Sequence, residues 1–154
     1  MKNLSKSLSL EQLDNKLQKF ALIKTIQIPA KGWINTIRLT LNMSLKQLGK
    51  KLNITSQSVN EIEIREADKK ITLEKLNEVA NALDLKFVYG FIPKDGSLEK
   101  MIEKRALEIA KQIVLKTSHT MALEDQQNNP ARIKKAIKDR AQQIKNEMPK
   151  YLWD

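Results

Sequence analysis

The sequence predicts a mainly α-helical protein, and three observations lead to that fold class. Apolar residues make up 41% of the 154 residues, which is enough for a core. Aromatic residues are scarce at 5%, and with 4 Gly and 4 Pro the chain has few loop-forming positions. Apolar residues also recur every three or four positions after residues that can cap a helix. We expect three parts: an N-terminal helix with an extended connector (1–30), a bundle of short helices (31–85), and a β-strand followed by C-terminal helices (86–154).

The N-terminal part predicts a helix, an extended connector and a second helix. Residues 9–22 predict the first helix. Ser9 is its cap, Gln12 stands at the capping-box position, and leucines line one face of the helix. The connector KTIQIPAKG combines β-branched residues with a Pro and a Gly, which is typical of extended chain. The second helix covers residues 33–41, with Trp33 and Leu41 among its predicted inward side chains.

Residues 43–63 predict two short helices joined by a tight turn. Ser44 and Gln47 have capping-box spacing at the start of the first helix, and Thr55 can cap the second. Asn53 stands in the turn, where a left-handed conformation is expected, and Asn tolerates that conformation better than most residues. Helices this short bury little area alone, so their neighbours must hold them in a bundle.

The segment LKFVYGFIP changes period and predicts a β-strand. Phe87, Tyr89 and Phe91 alternate with Val88 and Ile92. A lone strand leaves unpaired backbone groups on both edges. It can pair with the TIQI connector or with its own copy across a two-fold axis, and we favour the second arrangement, which makes a homodimer.

Three further helices are expected from their capping residues. Thr72 can cap a helix that completes the central bundle, and Ser97 can cap a long amphipathic helix. The polar stretch 116–129 predicts a loop or a broken helix. Asn129 and Pro130 then occupy the favoured cap and first-turn positions of a last helix, and the terminal YLWD is expected to dock on the protein.

Charge and composition narrow the classes of protein. The net charge is +10 and is spread along the chain, which favours contact with a polyanion but equally suits a protein with many exposed lysines. No apolar window is long enough to span a membrane, and the N-terminus lacks the apolar core of a signal peptide, so we expect a cytoplasmic protein. The absence of Cys excludes disulfides and thiolate metal sites.

No enzyme signature is found, and no cofactor is expected. The single histidine, His119, cannot build a zinc site of the usual kind without Cys. Glu124 and Asp125 form a loose acidic pair in a predicted loop. Acidic side chains in loops are more often exposed to solvent than catalytic. The glycines are isolated, so there is no Gly-rich phosphate loop.

The outer face of the second short helix carries hydrogen-bonding side chains. Gln57 can pair bidentately with adenine, Ser56 can bond to several base edges, and Asn60 can reach a base or a phosphate. Glu61 can accept from cytosine or can balance nearby lysines and exclude wrong sequences. The alternative is a helical hairpin whose polar face simply meets water. The basic residues that flank the pair are the candidate phosphate contacts: Arg38, Lys46, Lys50, Arg65, Lys69 and Lys70.

Three segments carry a resemblance to a known family: IRLTLNMSLKQLGKKLNIT, SQSVNEIE and ITLEKLNEVANALDL. Together they resemble the Xre and Cro/C1 repressor family, which implies a lambda-repressor-like, five-helix helix-turn-helix domain that binds DNA. The sequence departs from that family at Leu45, where a polar residue is common, and at IREADKK, which replaces a Gly-containing loop. The resemblance implies base-reading roles for Ser56, Gln57 and Glu61, and phosphate contacts for Ser44, Gln47, Thr55 and Ser58.

A closer resemblance covers nearly the whole chain. PAKGWINTIR, SQSVNEIEIREA, ITLEKLNEVANALDLKFVYGFIP and HTMALEDQ are similar to the family called mobile mystery protein A. That resemblance implies an Xre-type regulator of mobile elements, antitoxin-like or autoregulatory, encoded beside a Fic-domain protein. A Fic-inhibitory motif is not matched in full, since Thr120 to Glu124 is followed by Asp125, and Ser7 to Glu11 by Gln12.

Two functional hypotheses follow. The first is a sequence-specific transcriptional regulator, a repressor that binds an inverted repeat in double-stranded operator DNA as a homodimer. The alternative is an interaction module that neutralises a Fic-domain partner through its C-terminal helices, as in a toxin–antitoxin pair.

Overall fold

A computed structural model describes residues 2–123 and 129–154, and within those ranges helices are the only regular secondary structure. The described chain forms two compact units. One unit is Lys24–Gly90, and the other combines the described residues up to Ile23 with those from Phe91 onward. No helix in the described ranges is long and apolar enough to cross a membrane. The α-helices in chain order are α1 (Lys2–Gln18), α2 (Gly32–Thr40), α3 (Leu45–Leu52), α4 (Ser56–Ala67), α5 (Leu73–Ala82), α6 (Leu98–Leu123) and α7 (Pro130–Glu147), with short 3₁₀ helices at Ala21–Thr25 and Lys150–Trp153.

The unit Lys24–Gly90 is a bundle of α2, α3, α4 and α5. The predicted N-caps are confirmed, because the side-chain oxygens of Ser44, Thr55 and Thr72 each accept the backbone N–H three residues on. Two predicted inward residues are wrong, since Trp33 and Leu41 are exposed. Helices of only eight to twelve residues depend on packing, and each one contributes to the core. That core consists of Ile34, Leu48, Val59, Ile62 and Val79.

The predicted β-strand at LKFVYGFIP is wrong, and with it the part of the fold class that placed a dimer-pairing strand after the bundle. All of residues 85–93 are described, and none belongs to a strand or helix. The TIQI connector, residues 25–28, contains no strand either. Phe87 and Tyr89, which alternate in the sequence, instead stack on each other with ring centroids 6.0 Å apart. The expected fifth helix of the bundle is also absent, since the fully described unit Lys24–Gly90 contains four α-helices.

The N-terminal helix begins earlier than its predicted cap. The helix α1 starts at Lys2, so Ser9 lies inside it and not at its end. The residues before Ser9 include neither Gly nor Pro, and nothing in them interrupts a helix. This helix packs through Leu10 against α6 and α7, in the second unit.

The helices α6 and α7 form the main core of the second unit. Ile102, Ala106, Ile109 and Ala110 of α6 pack against Ile144 of α7. The predicted caps are again confirmed: the N–H of Lys100 donates to the Ser97 hydroxyl, and that of Ala131 to the Asn129 side chain.

The N-terminus of α6 has a second cap that comes from α1. Both carboxylate oxygens of Asp14 accept backbone N–H groups, from Leu98 at 2.7 Å and from Glu99 at 3.1 Å. The polar stretch 116–129, predicted as a loop or a broken helix, is helical as far as Leu123, and residues 124–128 lie outside the described ranges. The chain end docks through Leu152, which is fully buried, while its aromatic neighbours Tyr151 and Trp153 are exposed.

Candidate nucleic-acid interface

A tight turn sets the position of α4 relative to α3. Asn53 ends α3 in the left-handed conformation, with φ of 57°, as predicted. The N–H of Ile54 then donates back to the carbonyl of Gly49 at 2.9 Å. A Cβ atom added at Gly49 would lie 2.7 Å from the carbonyl oxygen of Ile54. The close approach of the two helices at this turn therefore requires glycine at position 49.

Side-chain caps hold both helices of the pair at their start. Ser44 and Gln47 form a full capping box: the N–H of Gln47 donates to Ser44 Oγ at 3.1 Å, and the N–H of Ser44 donates to Gln47 Oε1 at 2.8 Å. At the start of α4, the N–H of Ser58 donates to Thr55 Oγ1 at 3.1 Å, and the two hydroxyls lie 2.9 Å apart.

A buried ion pair holds α4 against α2. Arg38 Nε lies 2.6 Å from Glu63 Oε1, and Arg38 Nη2 donates to the other carboxylate oxygen at 3.1 Å. The side chains are only 8% and 5% exposed, so the pair is shielded from solvent. Asn35 Nδ2 donates to Glu63 at 2.7 Å, and Arg38 Nη1 donates to the carbonyl of Met43 at 2.9 Å. The bidentate geometry and the two added hydrogen bonds satisfy both charges.

This network changes the pKa of both charged groups. Burial alone raises the pKa of Glu63, but hydrogen bonds from Arg38 and Asn35, with the charge of Arg38, outweigh burial and leave that pKa below its ordinary value. The hydrogen bond to Glu63 raises the pKa of Arg38 further above its already high ordinary value. Both groups therefore stay ionised near neutral pH.

A second carboxylate, about one turn further along α4, fastens that helix to α2. Glu66 accepts the backbone N–H groups of Trp33 and Ile34, both at 2.8 Å, at the N-terminus of α2. Gly32 has φ of +82°, and a Cβ atom there would lie 2.7 Å from Glu66 Oε2. The inner face of α4 thus carries two acids, and each fixes the helix to α2.

The outer face of α4 is exposed and its polar side chains are unengaged. With 100° per residue, Ser56, Gln57, Asn60, Glu61 and Arg65 fall within about half of the helix circumference. All of them are exposed. Within the described ranges, no side-chain hydrogen bond or salt bridge engages them. They are free to donate or accept toward a ligand.

The capping residues occupy less open positions. Ser44, Gln47 and Thr55 are exposed, whereas Ser58 is half-buried. Capping uses the acceptor oxygen of Gln47 and leaves its NH₂ group free as a donor. The Ser44 oxygen accepts a bond, and its hydroxyl proton remains available in the same way. These donors can reach an anion without loss of the caps.

The predicted basic residues divide into two groups. Arg38 is 7% exposed and serves the ion pair with Glu63, which favours a structural role over a phosphate contact. The others are exposed and, within the described ranges, form no salt bridge. They are Lys46, Lys50, Arg65, Lys69 and Lys70.

Some residues of the site were not singled out from the sequence. Glu63 and Glu66 read as ordinary helix-surface acids, and only the contacts with α2 reveal their roles. Lys51 lies beside Lys50 in a shallow groove of about 480 Å³ that is lined also by Leu41, Met43 and Gln47. The two adjacent lysines in the sequence could have indicated Lys51 as a candidate phosphate contact. Ile64 is 52% exposed on the outer face of α4, an apolar side chain among polar ones.

The residues considered for catalysis lie elsewhere. His119 is exposed on α6, in the other unit. Glu124 and Asp125 lie outside the described residues. In the described ranges, no three His, Asp or Glu side chains converge to hold a metal ion.

The two short helices, the turn and the free polar face together define a helix-turn-helix domain. Residues 34–89 match a family model described as helix-turn-helix, of the Xre and Cro/C1 type. No curated protein and no solved structure gave a match to the chain. The family match indicates a DNA-binding regulator, a class that is typically non-enzymatic. The resemblance to mobile mystery protein A stays a prediction.

Proposed function

We propose that this protein is a sequence-specific transcriptional regulator that binds an inverted repeat in DNA as a homodimer. The observation that carries the proposal is the outer face of α4, where Gln57, Asn60 and Glu61 are exposed and unengaged. The opposite face is held to α2 by Glu63 and Glu66. A helix held rigidly on one side, with free hydrogen-bonding groups on the other, suits insertion in the major groove.

Each side chain of this face has a role set by its chemistry. Gln57, one residue from the N-terminus of α4, can donate to and accept from adenine at once. Ser56 can bond to several base edges, and Asn60 to a base or a phosphate. Glu61 accepts hydrogen bonds only, so it favours cytosine N4 and repels the acceptors of guanine. Ile64 can contact a thymine methyl group one turn further along.

The DNA backbone would be held by groups on both sides of α4. The first backbone N–H groups of a helix lack partners within the helix, so the start of α4, beside the Thr55 cap, is a favourable position for a phosphate. The free donors of Ser44 and Gln47 lie at the start of α3, near the exposed Lys50 and Lys51. Such contacts position the protein without selecting sequence.

Homodimer formation is supported by apolar residues that the single chain leaves uncovered. Leu85, Val88 and Tyr89 are 43%, 59% and 64% exposed near the end of the unit Lys24–Gly90. Clustered exposed apolar side chains mark interaction surfaces. A two-fold dimer would present two copies of α4 about one DNA turn apart, which an inverted repeat matches.

The proposal is tested by selecting sequences from random duplexes with the full chain at low salt, followed by footprinting of the selected sites. We expect an enriched motif with two-fold symmetry, protection of two half-sites, and a binding constant whose logarithm falls linearly with the logarithm of salt concentration. Failure to enrich any sequence would refute DNA reading. Enrichment of a single half-site would refute the dimer alone.

Two variants separate base reading from backbone contact. Gln57→Ala should lower affinity for the selected site by about 1–3 kcal/mol and relax the preference at one base pair. Lys50→Ala should weaken all duplexes alike and reduce the salt dependence. Equal loss of affinity for selected and random duplexes in Gln57→Ala would show that this residue reads no base.

The finer part of the proposal is an autoregulatory, antitoxin-like protein with a Fic-domain partner. Its support is the resemblance of segments such as PAKGWINTIR and HTMALEDQ to mobile mystery protein A. Co-expression with the product of the neighbouring gene and co-purification test it. A neighbouring product that does not co-purify, and a footprint away from the protein's own promoter, would each contradict this part.

A further inference from the structure

A groove of about 470 Å³ runs between α6 and α7, far along the chain from the helix-turn-helix. Its floor is apolar and consists of Leu107 from α6 with Ile137 and Ala141 from α7. Leu107 is 39% exposed, so this apolar surface is open to an incoming group. The rim is polar and mostly basic: Glu103, Lys111, Lys134, Lys138, Gln142 and Lys145.

The charges on the rim are unevenly compensated. Lys145 is neutralised within the protein, because its Nζ lies 2.9 Å from Glu99 and 2.5 Å from Glu103. Lys111, Lys134 and Lys138 have no salt bridge within the described ranges. Since α7 contacts the start of α6 through Lys145, the helices run antiparallel, and the three uncompensated lysines share the other end of the groove.

We propose that this groove binds an acidic amphipathic helix of a partner protein. Apolar side chains on one face of such a helix would cover Leu107, Ile137 and Ala141, and flanking carboxylates would meet the three free lysines. Lys134 and Lys145 are separated along α7 by roughly 16 Å, which is the length of about three helical turns. A groove of that length accepts apolar anchors at the i, i+3, i+4 and i+7 positions of a bound helix.

Other occupants fit the groove less well. A fatty acid has one carboxylate and needs one cation at one end, whereas here three free lysines are present. If a DNA backbone were bound here, charged phosphates would lie against the apolar floor of the groove, which is unfavourable. A second copy of this chain is disfavoured by charge, because its longest described helices, α1, α6 and α7, all carry more basic than acidic residues.

The groove belongs to a different compact unit from the proposed DNA-reading face, and the proposed ligand specifies the partner-binding part of the proposed function. It does not require that DNA binding be correct. Its tests therefore use peptide binding as the readout, with binding to the selected duplex measured in parallel.

The probes are fluorescent, side-chain-stapled helical peptides of about fourteen residues, with apolar residues on one face and Glu elsewhere. A matched panel carries Lys in place of every Glu. Fluorescence anisotropy with the full chain should show binding of acidic peptides and none of their basic counterparts. Equal binding of the two panels, or binding of neither, would overturn the proposal.

Variants assign the binding to the groove. The triple variant Lys111→Glu, Lys134→Glu and Lys138→Glu should weaken acidic peptides by about tenfold or more at low salt. The matched single changes on α7 are Lys134→Glu inside the groove and Lys135→Glu outside it, and only the second should stay within about twofold of the unaltered chain. A similar loss in both would place the peptide elsewhere and overturn the proposal.

Two further measurements complete the test. Leu107→Ala should weaken the peptides without changing any charge, and circular dichroism checks that each variant is folded. If random duplex DNA displaces the acidic peptides, and the triple variant loses duplex and peptide affinity equally, the surface is a phosphate contact and the proposal is wrong. Retained affinity for the selected duplex in the triple variant supports it.

Discussion

Glu63→Gln is the substitution that best tests how α4 is held against α2. Glu63 lies on the inner face of α4, and its carboxylate accepts hydrogen bonds from Arg38 and Asn35 on α2. The amide of Gln keeps the shape of the side chain but removes the charge. Arg38 then keeps a positive charge at a site where its side chain is 8% exposed, and has no counter-ion there.

The expected loss is large for a unit of this size. Removing one partner of a buried ion pair typically costs about 3–5 kcal/mol. The Gln carbonyl can still accept one bond from Arg38, so we expect the lower end, about 3 kcal/mol. At roughly 0.05–0.15 kcal/mol per residue, the unit Lys24–Gly90 has about 3–10 kcal/mol of stability to lose. Replacing both partners, as in Arg38→Met with Glu63→Leu, should cost less than the two single changes together.

The assay needs a signal from this unit alone, because two compact units need not unfold together. Trp33 lies in α2 and Trp153 in the other unit. In a Trp153→Phe background, fluorescence during urea denaturation reports α2, and the midpoint and slope yield the free energy of unfolding. A Glu63→Gln loss below about 1 kcal/mol, or a double variant as unstable as the sum of the singles, would refute the reasoning.

The remaining predictions concern pH, the turn and a helix cap. Because the pKa of Glu63 is lowered in the folded state, the ionised carboxylate stabilises the fold fully above the unfolded value of about 4.5, and this stabilisation is lost as pH falls through the lower folded pKa. Acid titration followed by Trp33 fluorescence should show the loss of stability. In Glu63→Gln this pH dependence should be weaker. Gly49→Ala would gain up to about 1 kcal/mol of helix propensity. Its Cβ would also lie 2.7 Å from a backbone oxygen of the turn, so we expect a net loss of about 1–2 kcal/mol and weaker duplex binding; a rise in the urea midpoint would contradict this. Asn129→Ala should cost about 1 kcal/mol in the other unit, with Asn129→Ser as the control that restores the cap.

Much of the helix-turn-helix was predictable because its determinants are local. The capping box of Ser44 and Gln47, the Thr55 cap and the left-handed Asn53 each depend on residues at most five positions apart. Such interactions leave a sequence pattern that can be recognised without knowledge of the fold. The same reason explains the correct start of α7 at Asn129 and Pro130.

The β-strand prediction failed because strand pairing is not local. Alternation in LKFVYGFIP describes which side chains share a face, but a strand exists only if another segment offers its backbone groups. In this structure the alternating rings of Phe87 and Tyr89 stack on each other instead. The early start of α1 had a related cause, since Ser9 was a plausible cap with nothing before it to stop the helix.

The starts of α3 to α7 and the chemistry of the outer face of α4 were present in the amino-acid sequence, because periodicity and capping act within a few residues. Tertiary structure alone decided that Arg38 is a buried partner of Glu63, 25 residues away, and not a surface cation. It also decided that Asp14 caps a helix 84 residues away, and that three free lysines line an apolar groove. The physical reason is the same in each case: burial and charge pairing depend on which distant segments meet, and no local pattern records that meeting.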